Sequence, residues 1–224
     1  MSVKDSFYIG LDIGGTKIEA ILIKEVSSST KDTYQVNKKF YIELSRERVP
    51  TERDKGYSFV VRKISNLIKS IVKANKLSVD AISAIGIGLP GSIDPSSLKM
   101  INGNSQIFIA KDVVNDLKSL LSFDRSIFVD NDANLFALAE TYWGAGKLHY
   151  EKSQISPNQQ ISIGVILGTG CGGGVIIKGK QLKGRNGGGA EIGHSVLVKD
   201  GIECYCKRHG CSEQYLSGTG LERM

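Results

Sequence analysis

Cys204, Cys206 and Cys211 form C-x-C-x4-C near the end of the 224-residue chain, and His194 stands ten residues before the first of them. Three thiolates and one imidazole make a complete tetrahedral donor set for Zn²⁺, and a shell closed by four protein ligands is structural, with no open position for chemistry. The single residue between the first two cysteines is tighter than the commonest zinc-finger spacing, so on spacing alone buried structural thiols stay open as a second reading. The fourth cysteine, Cys171, sits apart in a glycine turn and reads as no ligand. His149 and His209 read as surface residues; His209 lies inside the metal loop, but His194 and the cysteines already fill the shell. The N-terminus, MSVKDSFYIG, has no long apolar segment with a cleavage site. The expected location is therefore cytoplasmic and reducing, where disulfides are not expected.

Two glycine turns could hold an anion. Gly14-Gly15-Thr16-Lys17 joins two β-rich runs in FYIGLDIGGTKIEAILI, and Gly168-Thr169-Gly170 does so in QISIGVILGTGCGGGVIIKGK. The second stretch also fits G-x-G-x-x-G, but that fingerprint needs a helix after the glycines, and Val175, Ile176 and Ile177 continue as a strand. No G-x-x-x-x-G-K-[ST] loop occurs. Turns nearly bare of side chains let backbone N–H groups approach a phosphate closely, although each turn taken singly reads equally as a plain tight turn. Asp12, at the end of the first run, could hold the water shell of Mg²⁺ near phosphates. Asp132 follows the strand SIFVD and opens a helix, which makes it the candidate general base, or else a helix cap.

The elements that must carry these groups follow from periodicity. A helix is predicted over about Tyr57 to Asn75, where Phe59, Val60, Ile64, Leu67, Ile68, Ile71 and Val72 recur at helical spacing. Between Thr30 and Lys55 the chain is polar, with a short strand KFYIEL, and reads as the rest of a meander plus a loop. AISAIGIGLPGSID reads as a buried strand entering a loop at Pro90-Gly91, and Ser126 to Asp130 as a strand leading into a helix near Asn131 or Asp132. Two α/β segments with similar Gly hairpins suggest duplicated lobes facing each other across a cleft, residues 1–125 and residues 126–224. The net charge of +6 is spread, with never more than two basic residues in a row, so it reads as a solvated surface and no nucleic-acid partner is expected. No apolar run approaches a membrane span.

LDIGGTKIEAILI, GIGLPGSID, VDNDANLFALAE, GVILGTGCGGGVII, GGGAEIGH and CYCKRHGCSEQYLSG resemble, in order and over nearly the whole chain, the motifs of the ROK family of repressors, open reading frames and sugar kinases. The resemblance implies an α/β, actin-like (ribonuclease H-like) two-lobed ATPase fold, with ATP phosphates between the two Gly hairpins and a sugar in the interlobe cleft. It makes Asp132 the catalytic base and gives Asn131 a sugar hydroxyl. Glu191, His194 and Glu213 resemble the remaining sugar contacts, and Gly91 and Asn104 are expected to line the same pocket. For the nucleotide it points to Asp12, Gly14, Gly15, Thr16, Lys17, Gly168, Thr169 and Gly170, with Mg²⁺. It also implies structural Zn²⁺ on His194, Cys204, Cys206 and Cys211, with Lys207 standing where the family usually has glycine. That metal is expected to shape the sugar pocket without touching the phosphate.

The implied activity is ATP-dependent phosphorylation of a hexose, with glucose first and fructose or an N-acetylated amino sugar next; homodimers or homotetramers occur in the family. A second expectation is a sugar-responsive transcriptional regulator, but these carry a helix-turn-helix ahead of the first Gly hairpin, and eleven residues before Asp12 are too few for one. A third is a sugar-binding fragment without catalysis. Family members continue beyond SGTGLERM with the part that holds adenosine, which leaves the second lobe incomplete.

Overall fold

Phe7, Ile9, Leu11 and Ile13 are buried while the residues between them are not, the period of a strand with one face on a core. The computed structural model describes residues 5–30, 33–36, 39–103, 105–168 and 170–223. Asn104 and Thr169, both named above as site residues, lie outside the described residues. The chain divides into two units, Met1–Asp132 and Ala133–Met224.

The first unit contains strands β1 (Phe7–Ile13), β2 (Lys17–Val26), β3 (Tyr34–Val36) and β4 (Lys39–Pro50), helix α1 (Tyr57–Ala74), strands β5 (Ile82–Leu89), β6 (Gly91–Ile93) and β7 (Met100–Gly103), helix α2 (Val113–Leu121) and strand β8 (Ser126–Asn131). Six strands make one sheet in the order β3-β4-β2-β1-β5-β8. The β1–β5 and β5–β8 pairs are parallel, the others antiparallel. KFYIEL is thus the start of a twelve-residue strand rather than a short one in a loop: β4 pairs with β2 from Phe40 opposite Val26 to Pro50 opposite Lys17, with a bulge at Leu44. The Pro90-Gly91 stretch likewise opens a hairpin, β6–β7.

Helix α1 buries Val60, Val61, Ile64, Leu67, Ile68, Ile71 and Val72 in one cluster with Ile9, Leu11, Ile13, Ile18, Leu22, Ile85 and Ile87 of the sheet. Each such aliphatic side chain is worth roughly 1.5–3 kcal/mol on leaving water. α2 adds Val113, Leu117 and Leu121 and is capped by Asp112, whose carboxylate accepts from the Asn115 N–H at 3.1 Å. β8 pairs with β5 inside this sheet, so the stretch from Ser126 belongs with the first unit and not at the head of the second. The reason is register: Ile127 and Val129 need the same core that Ile85 and Ile87 enter.

The second unit holds most of helix α3 (Asp132–Trp143), then helix α4 (Ala145–Ser153), strands β9 (Ile161–Leu167), β10 (Cys171–Ile177) and β11 (Lys180–Gln181), and two single-turn helices, α5 (Glu213–Leu216) and α6 (Gly218–Leu221). β9 and β10 form the second Gly hairpin, Leu167 opposite Cys171. Ala133 and Ala137 of α3 lie under its glycines. Among the described residues here, Ile176 is the one large aliphatic side chain that is fully buried; the other buried hydrophobic residues are alanines and Cys171, Cys204 and Cys211. The outer face of β9 carries Ile161, Ile163, Val165 and Leu167, between 49% and 72% exposed. Among the described residues no helix is long and apolar enough to cross a membrane.

Candidate functional site

Parallel pairing of β1, β5 and β8 puts their carboxyl ends side by side, with Asp12 opposite Gly88 and Gly88 opposite Asp130. The first glycine turn, the loop to Gly91 and the Asn131-Asp132 pair therefore leave the same end of one sheet, where α/β proteins form their ligand sites. In the turn the Gly14 N–H donates to the Lys17 carbonyl at 2.9 Å. Thr51, the residue after β4, closes it from outside: its N–H donates to the Thr16 carbonyl at 2.9 Å and its hydroxyl to the Gly14 carbonyl at 2.7 Å. Thr51 is 1% exposed, so these bonds are shielded from water. Arg53 brings Nη1 to 3.3 Å from where a Cβ on Gly15 would stand. Lys17 and Arg53 thus place two cations at a turn of bare amides. Asp12 is solvent-accessible at the strand end; burial and then Glu19 push its carboxyl above the ordinary value, against the pull of Lys17 and Arg48.

Asn131 ends β8 and fixes its neighbours. Its Nδ2 donates to the Gly91 carbonyl at 3.1 Å and to Asp132 Oδ1 at 3.2 Å. That position on β6 requires glycine, because a Cβ at Gly91 would come within 2.2 Å of the Asn102 carbonyl oxygen. Asp132 is the first residue of α3, where the positive end of the helix dipole favours the ionised carboxylate. Through these two bonds Gly91, Asn131 and Asp132 lie together at the end of β8.

In the second unit the Gly168 N–H donates to the Gly170 carbonyl at 2.9 Å, closing a turn one residue tighter than the Gly14–Lys17 turn. Glu191 is exposed and precedes a 3-10 turn, Ile192–His194, that buries His194. Glu213 is 8% exposed and opens α5; its Oε2 accepts from the Cys171 N–H, 3.1 Å away at the start of β10. This bond joins two positions 42 residues apart and ties the segment after the last cysteine to the second hairpin.

His194, Cys204, Cys206 and Cys211 bring their ligand atoms within 4.8 Å of one another. His194 Nδ1 lies 3.6 Å from Cys204 Sγ, and Cys206 Sγ 3.6 Å from Cys211 Sγ. A tetrahedron with Zn–S bonds of about 2.3 Å has S–S edges of about 3.8 Å, so the donor set fits zinc in type and in size. The other ring nitrogen, Nε2, meets the Tyr205 hydroxyl at 2.9 Å, which orients the ring with Nδ1 toward the sulfurs. Burial pushes the Tyr205 phenol well above its usual range, with Glu213, Glu191 and the neighbouring thiols adding to it, so the hydroxyl stays neutral. Burial would raise the Cys206 thiol, but hydrogen bonds from Arg208 outweigh it and lower it to about 7. Burial, then Cys206 and Cys204, raise Cys211 to about 12. Three adjacent thiolates repel one another, and a bound cation removes that cost. His209 stands outside the cluster, its Nδ1 3.1 Å from the Gly201 carbonyl. Lys207 adopts φ +68°, the left-handed backbone that favours glycine.

Sequence reasoning missed Thr51, Arg53 and Tyr205. The alternation through Pro50 was the one local signal that β4 runs on to carry Thr51 to the turn.

The ROK family model matches residues 8–224. The chain is 32% identical over 225 residues to the N-acetyl-D-glucosamine kinase of Vibrio atlanticus, covering 96% of this chain and 64% of that protein. It is 28% identical to the glucokinase of Halalkalibacterium halodurans, covering 99% of this chain and 60% of that one. Among solved structures, a ROK family glucokinase from Streptomyces griseus in complex with glucose and AMPPNP superposes with a TM-score of 0.69 at 30% identity, covering 97% of this chain and 59% of that one. The chain thus spans less than two thirds of the length of these relatives. The two glycine turns, the Asn131-Asp132 pair and the His194 cysteine cluster all fall inside the matched span, and the chain belongs to the ROK family, with its actin-like ATPase fold.

Proposed function

We propose that the protein is a hexose kinase that transfers the γ-phosphoryl group of ATP to a sugar hydroxyl. The observation that carries this reading is the common sheet end shared by the first glycine turn, Gly91, Asn131 and Asp132. Asp132 takes the hydroxyl proton as the oxygen attacks phosphorus. Asn131 orients the hydroxyl and the carboxylate, its Nδ2 already lying 3.2 Å from Asp132 Oδ1. The amides of the first turn, with Lys17 and Arg53, hold phosphate oxygens, Gly168 and Gly170 serve the second turn, and Asp12 holds the water shell of the divalent cation. When bound, MgATP supplies the phosphoryl group and the metal charge that offsets its oxygens. Glu191, His194 and Glu213 bind further sugar hydroxyls. His194 can do so only by exchanging the Tyr205 hydroxyl at Nε2 for the sugar's, since Nδ1 faces the thiols. Zn²⁺ on His194, Cys204, Cys206 and Cys211 is structural, in a unit with little aliphatic core of its own. The relatives' names make N-acetyl-D-glucosamine and glucose the first two sugars to try.

A second reading has its own observation. The exposed apolar face of β9, with Ile161, Ile163, Val165 and Leu167 open to solvent, favours a sugar-binding form with little turnover. One experiment separates the two. ADP release and sugar-binding calorimetry are run on wild type and Asp132→Asn, with glucose, N-acetyl-D-glucosamine and fructose in the presence of Mg²⁺ and ATP. The kinase reading expects turnover in wild type and a loss of about 10²–10⁴-fold in the variant, with sugar affinity changed only a few-fold. Turnover that survives in Asp132→Asn removes the base; sugar binding without turnover in wild type favours the second reading.

A further inference from the structure

In each glycine turn the first glycine closes the turn through its N–H and has its carbonyl held from a distant part of the chain. In the first, the Gly14 N–H closes the turn and the Gly14 carbonyl accepts from Thr51. In the second, the Gly168 N–H closes the turn and the Gly168 carbonyl accepts from the Gly218 N–H at 2.7 Å. The far end of the second turn is held by Glu213, whose carboxylate takes the Cys171 N–H. Both pins come from the segment directly after the last cysteine. Glycine-rich turns lose the most conformational entropy on ordering, so a turn that must present fixed amides needs such pins.

The pinning segment has little apolar burial to hold it. α5 and α6 have four residues each, and Leu216 and Leu221 are 43% and 60% exposed. Its anchor is the cysteine cluster. Cys211 ends two residues before Glu213, the Ser212 N–H donates to the Ser195 carbonyl at 2.8 Å, and the Ser212 hydroxyl meets the same oxygen at 3.0 Å. The His194 side of the cluster presses directly on the hairpin: a Cβ on Gly193 would stand 1.9 Å from the Cys171 carbonyl oxygen. A metal ion bound to His194 and Cys211 therefore ties together two segments that each touch Cys171.

We propose that Glu213 is a positioning residue for the second phosphate turn, and that filling the metal site orders that turn through Glu213, Gly218 and Gly193. The proposal rests on the reading of Gly168–Gly170 as a phosphate turn and of the cluster as a zinc centre. It adds a second role to the expectation that the metal shapes the sugar pocket without touching the phosphate.

The test is amide hydrogen exchange read by mass spectrometry on the full chain. Peptides covering residues 166–173 are compared in zinc-loaded protein, chelator-treated protein, Glu213→Ala and Glu213→Gln. Peptides from β1 and β5 report whether each sample stays folded. Loss of one hydrogen bond to a carboxylate predicts exchange at the turn faster on the order of ten- to hundred-fold in Glu213→Ala with zinc retained. Glu213→Gln, which keeps an acceptor oxygen, restores most of the protection. Chelation speeds the same peptides and leaves β1 and β5 unchanged. Turn exchange that ignores both chelation and Glu213→Ala overturns the proposal, as does a change shared equally by β1 and β5. Binding of MgATP by calorimetry is a separate arm: a normal clamp in a chain that binds no nucleotide defeats the phosphate reading and spares the clamp. A chain that takes up no zinc defeats the metal half directly.

Discussion

Replacing Thr51 by valine keeps the shape of a buried side chain and deletes one donor. The hydroxyl of Thr51 reaches the Gly14 carbonyl at 2.7 Å, and with the residue 1% exposed, water does not take its place without local opening. An intramolecular hydrogen bond is worth about 0.5–1.5 kcal/mol net, and a carbonyl left buried without a partner costs about 1–3 kcal/mol. The Gly14 carbonyl is part of a half-buried turn and recovers some solvation, which sets the expected cost of Thr51→Val at about 1–2 kcal/mol. Thr51→Ser, which retains the hydroxyl, should lose less than half of that. The Thr51 N–H bond to Thr16 is untouched in both, so the turn stays in place but becomes looser. Urea unfolding followed by far-ultraviolet circular dichroism reads the effect as a lower midpoint at unchanged slope. The same variants measured for MgATP binding should weaken in the same order, since the amides lose their fixed aim. The reasoning is refuted if Thr51→Val is as stable as wild type, or if serine and valine lose equally, since then methyl packing and not the hydroxyl holds the turn.

Asp12 has a folded-state pKa above its unfolded value because burial, then Glu19, disfavours the charge. The penalty is present above the folded pKa and vanishes as the pH falls below the ordinary 3.8. Asp12→Asn should therefore melt higher than wild type at pH 7 and level with it at pH 3 by calorimetry, while binding MgATP more weakly. Lys207→Gly removes a non-glycine residue from φ +68° and should stabilise the zinc loop by about 0.5–1 kcal/mol, read as slower chelator-driven zinc loss. Metal analysis of His194→Asn should find zinc well below one equivalent, whereas His209→Asn, whose ring reaches a carbonyl outside the cluster, should keep it. Full zinc in the first variant would move the fourth ligand to another residue.

The hairpins at Gly14–Lys17 and Gly168–Gly170, α1, and the strand-to-helix step at Asn131-Asp132 were legible from local pattern. Their causes are local too: a period of two or of 3.6, and turns that only small residues make. The ligand set His194, Cys204, Cys206 and Cys211 could be named for a similar reason, because a short loop brings its own thiols together. What stayed hidden depends on partners far along the chain. Nothing near Ser126 says that β8 joins β5 in the first sheet; the match of Ile127 and Val129 to a core built by α1 decides it. Thr51 and Arg53 read as loop residues until β4 is paired with β2 from Phe40 to Pro50, which carries them to a turn some 35 residues earlier. Glu213 read as a sugar ligand by resemblance, and its bond to the Cys171 N–H joins positions 42 residues apart. Composition and spacing name the groups that can do chemistry, whereas long-range burial and hydrogen bonding, which no short window contains, choose the neighbours each group meets.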